Sequence, residues 1–441
     1  MIWSFVRGLC NLAFGKFQDF LSGLVKGQRG LFAGSTPPTV EELLVKLMGN
    51  SGEVSAAVAA RELLDLYIES DDATKLAFFQ DLEQNFNADE TDVRQAYQNY
   101  SANPSSLNLN KLSRAAEPRR HELMRRLNQT PGATHDLVSM RTDLLRFLRE
   151  DETLKAVDET FVRLFTSWFG RGFLVLQTID WATSAAILER IIRYEAVHEI
   201  KDWEDLRSRV DPPNRRCFAF FHPSLTDEPL IFVEVALGQE IPDSINSILE
   251  DRAEPDLDSS KFTTATFYSI SNCQPGLKNI TFGNFLIKQV VQELQAEYPS
   301  IKQFVTLSPI PGFDRWLNSD YEDEAEELVN RKSEVRSLEK TPETAEDHGE
   351  VIKLLVFNYL MQAKQGKHPA DPVARFHLGN GAMIHQIHTG ADLSEKGLAQ
   401  SCGAMVNYLY DLRYIERNHE QYVTEGTIDF NDKLKALFIK A

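Results

Sequence analysis

Near Phe169 the spacing of apolar residues changes its period, and that change dictates a chain of two differently built parts. From Val40 to Phe169 the spacing is helical. Leu43, Leu44 and Leu47, then Leu63, Leu64 and Tyr67, then Leu144, Leu145 and Leu148 fall on common faces. Helix breakers at Gly49-Asn50-Ser51-Gly52, Ser101-Ala102-Asn103-Pro104 and Thr130-Pro131-Gly132 read as connections. The last strong stripe, Leu154, Val157, Phe161, Leu164, Phe165 and Trp168, stops before Gly170 and Gly172, which suit a left-handed cap. Beyond it, residues 217–221 and 230–237 are dense in aromatic and β-branched side chains around a short polar turn, which predicts a hairpin. Residues 264–270 predict another strand. It leads through Gln274-Pro275-Gly276 into a loop, after which Leu286, Ile287, Val290, Val291 and Leu294 share one helical face. A strand over 303–307 ends in Ser308-Pro309-Ile310-Pro311-Gly312. The expected fold class is α+β: an all-helical bundle over 40–169, then a mixed α/β domain over 170–441.

The 441 residues supply enough material for two or three cores. Cys10, Cys217, Cys273 and Cys402 are far apart and form no C-x-x-C pair, which indicates neither a zinc site nor a secreted disulfide framework. A reducing, cytoplasmic location is expected. The net charge of −18 argues against nucleic acid as the main partner, because neutralising phosphates needs an excess of basic surface. No run of 18 apolar residues exists, so stable membrane insertion is not expected.

Two segments stand apart in charge. Residues 1–39 form an amphipathic N-terminal segment, in which Arg7, Lys16, Lys26 and Arg29 against Asp19 leave a net +3 over the first 35 positions. It reads as a helix docking on the body or on a second subunit. A transit peptide, which would imply an organellar matrix, and a membrane-surface helix are the alternatives. The crowded charges of 320–349 read as a solvated helix and loop.

Three stretches carry candidate chemistry. Gly276 to Asn284, a glycine-bearing loop between a strand and a helix, is in outline an anion site, because backbone N–H groups and the helix dipole converge at a helix start. Ser308, at a strand end before two prolines, holds its hydroxyl rigidly; by pattern alone it also reads as a turn serine. His377, between Phe376 and Leu378, is either a satisfied core histidine or a general acid titrating near neutral pH. Tyr410 is a further candidate for polarising a carbonyl, beside its reading as a tyrosine of an amphipathic helix.

Together these stretches resemble the malonyl-CoA decarboxylase family. The resemblance runs over nearly the whole chain after the first forty or so residues. It is carried by Ser167-Trp168-Phe169, Glu195-Ala196-Val197-His198, Phe267-Tyr268-Ser269-Ile270-Ser271, Leu307-Ser308-Pro309-Ile310-Pro311-Gly312-Phe313, Phe376-His377-Leu378-Gly379-Asn380-Gly381 and Asn407-Tyr408-Leu409-Tyr410. It implies a helical oligomerisation domain, giving a homo-oligomer (dimer or tetramer), followed by a catalytic domain with the mixed α/β fold of the GNAT acetyltransferases. It implies conversion of malonyl-CoA to acetyl-CoA and carbon dioxide, with the family's catalytic serine and histidine falling on Ser308 and His377. Malonyl-CoA would lie on Lys278, Asn279, Ile280, Thr281, Phe282, Gly283 and Asn284 together with Ser308 and His377. Family members can carry an acidic residue where this chain has Thr281, so a carboxylate role there does not transfer. The chemistry asks for no metal, flavin or nicotinamide, and CoA is part of the substrate rather than a cofactor. The rival readings are a CoA-dependent acyltransferase and a non-catalytic acyl-CoA-binding sensor or scaffold.

Overall fold

The computed structural model describes residues 38–49, 52–251, 258–280, 286–320 and 324–439. The amphipathic N-terminal segment, apart from its last two residues, lies outside them. The chain divides into two compact units. One ends at Gly170 and includes Pro223–Thr226 and Gln274–Thr281; the other holds the rest.

In the first unit, helices run Val40–Met48, Glu53–Glu69, Asp72–Asn85, Glu90–Ala102, Ser106–Ala115, Arg119–Leu127, Ala133–Phe147 and Lys155–Trp168. Side-chain caps start several of them. Thr39 and Glu42 form a reciprocal capping box, and Asp71, Asp89 and Ser105 each accept from a backbone N–H of the following turn. Such short helices are marginal alone, so their buried stripes hold them. Leu43, Leu47, Leu63, Leu64, Leu144, Val157, Phe161 and Phe165 are all buried, each contributing about 1.5–3 kcal/mol on leaving water. Gly49, Gly52, Asn103, Pro104 and Thr130-Pro131-Gly132 fall between helices, whereas Ser101 and Ala102 are the last two residues of the helix Glu90–Ala102. The left-handed cap expected at Gly170 or Gly172 is not how the last helix ends. It closes on Phe169 at φ −94° and passes into a tight turn over Arg171–Phe173, so no positive φ is needed there.

The second unit is built on strands β1 (Val175–Ile179), β2 (Arg215–Phe221), β3 (Pro229–Gly238), β4 (Thr264–Asn272), β5 (Gln303–Thr306), β6 (Lys364–Gln365), β7 (His368–Pro369), β8 (Met383–His388) and β9 (Met405–Leu409). Strands β6 and β7 make a small separate ribbon. The others form one sheet in the order β1-β2-β3-β4-β5-β9-β8, antiparallel except for β4 beside β5. The expected hairpin is β2–β3. A parallel neighbour requires a crossover, and the helix Leu286–Glu297 supplies it between β4 and β5, burying Leu286, Ile287, Val290, Val291 and Leu294 as its spacing predicts.

Strands β5 and β9 are pinned at two places and parted between them. Val305 pairs with Leu409, and Ser308 exchanges both main-chain bonds with Val406, each 2.9 Å. In the gap the Tyr408 N–H donates to Thr306 Oγ1 at 3.1 Å, and Asn407 Nδ2 donates to the Thr306 carbonyl at 2.8 Å. Side chains thus stand in for main-chain rungs.

The charged stretch over 320–349 is more ordered than its composition suggests. Helices Glu326–Arg336 and Pro342–Asp347 cross it, with Leu328, Val335 and Ala345 buried. Lys332 is also buried. Its ammonium lies 2.8 Å from Glu324 Oε1 and 4.4 Å from the Trp316 ring centre, so the charge is paired instead of solvated.

Candidate active site

Ser308 and His377, 69 positions apart in sequence, meet in the second unit with 3.0 Å between Oγ and Nε2. Ser308 is placed by its two bonds to Val406. His377 is placed by the helix Pro372–Gly379, whose N-cap Asp371 accepts from Val373 and Ala374, each 2.9 Å. The second Asp371 oxygen accepts from Gly312 N at 3.2 Å, which ties the start of the histidine's helix to the loop after the serine. Gly312 admits no side chain, because a Cβ there would sit 2.1 Å from the Tyr359 hydroxyl. The Pro-Gly end of the serine motif and the Asp-Pro start of the histidine motif are therefore two halves of one joint.

The imidazole is held on three sides. Its ring stacks on Tyr408 with centres 4.8 Å apart at 23°, Nε2 faces Ser308, and Nδ1 lies 2.8 Å from the Tyr410 hydroxyl. Tyr410 follows β9 directly and is buried, which corrects its alternative reading as a helix tyrosine. Ser308 Oγ donates to Thr306 Oγ1 at 2.8 Å. Ser308, Thr306, His377 and Tyr410 are all buried. Burial pushes the His377 pKa down to about 3, so the resting ring is neutral at physiological pH. Burial likewise pushes the Tyr410 hydroxyl well above its usual range. Such an arrangement can hold and deliver a proton to a group beside Ser308 while keeping bulk water away.

The candidate anion loop is placed only in part. Lys278 and Asn279 are exposed and Ile280 is buried, whereas Thr281, Phe282, Gly283 and Asn284 lie outside the described residues. The N–H groups of Lys278 and Ile280 donate within the turn, to Pro275 O and Leu277 O at 3.0 Å each. Arg141, wholly buried, donates to the carbonyls of Gly276 and Lys278 at 2.7 and 2.8 Å and pairs with Asp158 at 2.7 Å. Gly276 lies so close to the helix Ala133–Phe147 that a Cβ would sit 1.9 Å from Val138 O.

Three further polar residues lie in the second unit. Arg190 pairs with Glu228 at 2.8 Å, Arg216 pairs with Glu297 at 2.7 Å, and His198 is buried at 8% exposure with its pKa lowered to about 4 by desolvation. Sequence reasoning gave Thr306, Asp371 and Tyr408 no role of their own. An Asp before a Pro was a usable helix-start signal for Asp371. A threonine inside an apolar strand gave no such cue.

The chain matches the family model described as malonyl-CoA decarboxylase C-terminal domain over 172–441, and the corresponding N-terminal domain model over 86–169. It is 37% identical over 340 residues to the mitochondrial malonyl-CoA decarboxylase of Anser anser anser, covering 69% of this chain and 66% of that one. With the mitochondrial malonyl-CoA decarboxylase of Rattus norvegicus it shares 34% identity over 362 residues, 74% of this chain and 72% of that one. The crystal structure of malonyl-CoA decarboxylase from Rhodopseudomonas palustris superposes with a TM-score of 0.84 at 46% identity, covering 91% of this chain and all of that one. Matching domain models in both halves, and relatives aligned over more than two thirds of its length, establish that the chain belongs to the malonyl-CoA decarboxylase family.

Proposed function

We propose that the chain converts malonyl-CoA to acetyl-CoA and carbon dioxide, with Ser308 contacting the malonyl group and His377 protonating the enolate. In a chain of this family, the observation that carries the reading is the buried run of contacts from Tyr410 through His377 to Ser308. The bond between C2 and the carboxylate carbon breaks. Its electron pair passes into the thioester as an enolate, and carbon dioxide leaves. A C–H bond then forms at C2 as a proton arrives from His377.

The neutral resting ring sets a condition on this step. The ring must take up a proton from solvent when substrate binds, and a malonyl carboxylate brought beside the imidazole supplies the opposite charge that favours the protonated form. On substrate binding, Ser308 turns its hydroxyl hydrogen to the carboxylate or the thioester oxygen. Its role is positional, since an unassisted hydroxyl is no base at neutral pH. A donor aimed at the forming enolate oxygen is worth about 3–4 kcal/mol of barrier, and Tyr410 acts on that charge through the ring. The chemistry as written needs no resident cofactor, and CoA itself supplies remote binding energy. Binding of the CoA pyrophosphate by the loop from Lys278 to Asn284, a homo-oligomer formed through the helical region, and a cytoplasmic or organellar-matrix location complete the proposal. Among the described residues no helix is long and apolar enough to cross a membrane.

Incubation with malonyl-CoA alone in deuterated water tests the reading. Acetyl-CoA carrying one solvent deuteron is the expected product. Intact malonyl-CoA in the presence of folded protein that binds it would refute the assignment.

A further inference from the structure

The contacts around His377 have a direction. A hydroxyl has one hydrogen, and that of Ser308 goes to Thr306 Oγ1 at 2.8 Å. Toward His377 Nε2, 3.0 Å away, Ser308 Oγ can then only accept. Nε2 must carry the ring's hydrogen, which leaves Nδ1 as a lone pair to accept from the Tyr410 hydroxyl at 2.8 Å. Thr306 Oγ1 is itself oriented from the other side by the Tyr408 N–H at 3.1 Å.

We infer that Thr306 is a positioning residue that sets the polarity of this chain of hydrogen bonds, fixing His377 as the Nε2–H tautomer by drawing the Ser308 proton away from the ring. The direction is Tyr410 to His377 to Ser308 to Thr306. A ring so held presents a hydrogen toward Ser308. A base acting on the serine hydroxyl could not use that arrangement, whereas a second proton taken up at Nδ1 makes the Nε2 hydrogen transferable. Thr306 touches neither substrate nor reacting atoms; it acts through Ser308.

The inference deepens the proposed function but can be judged apart from it. Histidine-labelled protein, with the His377 signals assigned by their loss in His377→Gln, reports the protonated ring nitrogen by long-range proton–nitrogen correlation. The wild type should show Nε2–H. Thr306→Val keeps the shape but removes the acceptor, frees the Ser308 hydrogen to point at the ring, and should convert His377 to Nδ1–H. Thr306→Ser, which keeps the acceptor, should restore the wild-type pattern. In turnover of malonyl-CoA, Thr306→Val should lower kcat by roughly 10- to 100-fold with KM little changed, less than the roughly 100- to 10,000-fold that complete loss of a general acid costs, and Thr306→Ser should recover it. An Nδ1–H ring in the wild type, or an unchanged Nε2–H ring in Thr306→Val, overturns the proposal. If the valine variant does not fold because the Tyr408 N–H has lost its acceptor, the wild-type spectrum alone still decides. If no form decarboxylates malonyl-CoA, the functional reading fails, while the tautomer assignment is judged on the spectra.

Discussion

Because His377 is buried and neutral, acid should attack the fold at this ring, and the size of the effect follows from its pKa. An unfolded histidine titrates near 6.5, whereas the folded ring does so at about 3. The folded pKa is depressed, so the unfolded chain binds the proton first as pH falls. The ring's contribution is therefore intact above pH 6.5 and is lost as pH drops toward 3. Each pH unit in that window costs about 1.4 kcal/mol. At pH 4.5 the loss is about 2.7 kcal/mol, and at pH 3 it is about 4.4 kcal/mol. The assay is urea unfolding at pH 7.5 and 4.5 of the wild type and His377→Gln. Carboxylates and other histidines titrate alike in both proteins and cancel in the comparison. Glutamine cannot be protonated, so the variant, whatever its stability at pH 7.5, should lose about 2–3 kcal/mol less on acidification. Equal losses in the two proteins would show that the ring is not held neutral and would remove the condition placed on its proton.

Other expectations concern the same unit. Ser308→Ala should lower kcat for malonyl-CoA by roughly 100-fold or more while leaving acetyl-CoA affinity, measured by calorimetry, nearly unchanged; full turnover in this variant excludes the serine from the chemistry. Tyr410→Phe removes the donor to Nδ1 and leaves a buried ring nitrogen unpaired. It should cost about 1–3 kcal/mol in thermal or urea unfolding, and an unchanged stability would mean that this bond contributes nothing. Glu234 is wholly buried beside Arg209, with its pKa pushed up to about 8 by desolvation. Glu234→Gln should therefore change stability at pH 7 only slightly, whereas Arg209→Met, which takes the donor from the His198 and Glu199 carbonyls and the partner from Asp205, should cost about 1–3 kcal/mol in urea unfolding; a reversed order contradicts this reading.

Elements set by local spacing could be read directly. Leu154 to Phe165, the β2–β3 hairpin and the apolar face of Leu286–Glu297 follow from periodicity, which is a property of neighbouring residues. Ser308 and His377 stood out because each sits in a motif of unusual composition. What periodicity cannot express is contact at a distance. Asp371 reads as a helix cap, yet nothing local announces that its second oxygen holds Gly312, 59 positions away. The charged run near Lys332 looks solvated until Glu324 and Trp316 are brought against it. Tyr410 lies just past a five-residue strand, β9, too short for its alternation to stand out, so a local pattern read it as helical.

The parted rungs of β5 and β9 make Thr306 and Asn407 a matched pair. Each satisfies a main-chain group of the opposite strand, so replacing one alone orphans a buried N–H or carbonyl. Replacing both with valine removes the spacers and lets the strands close into ordinary rungs, which a sheet tolerates well.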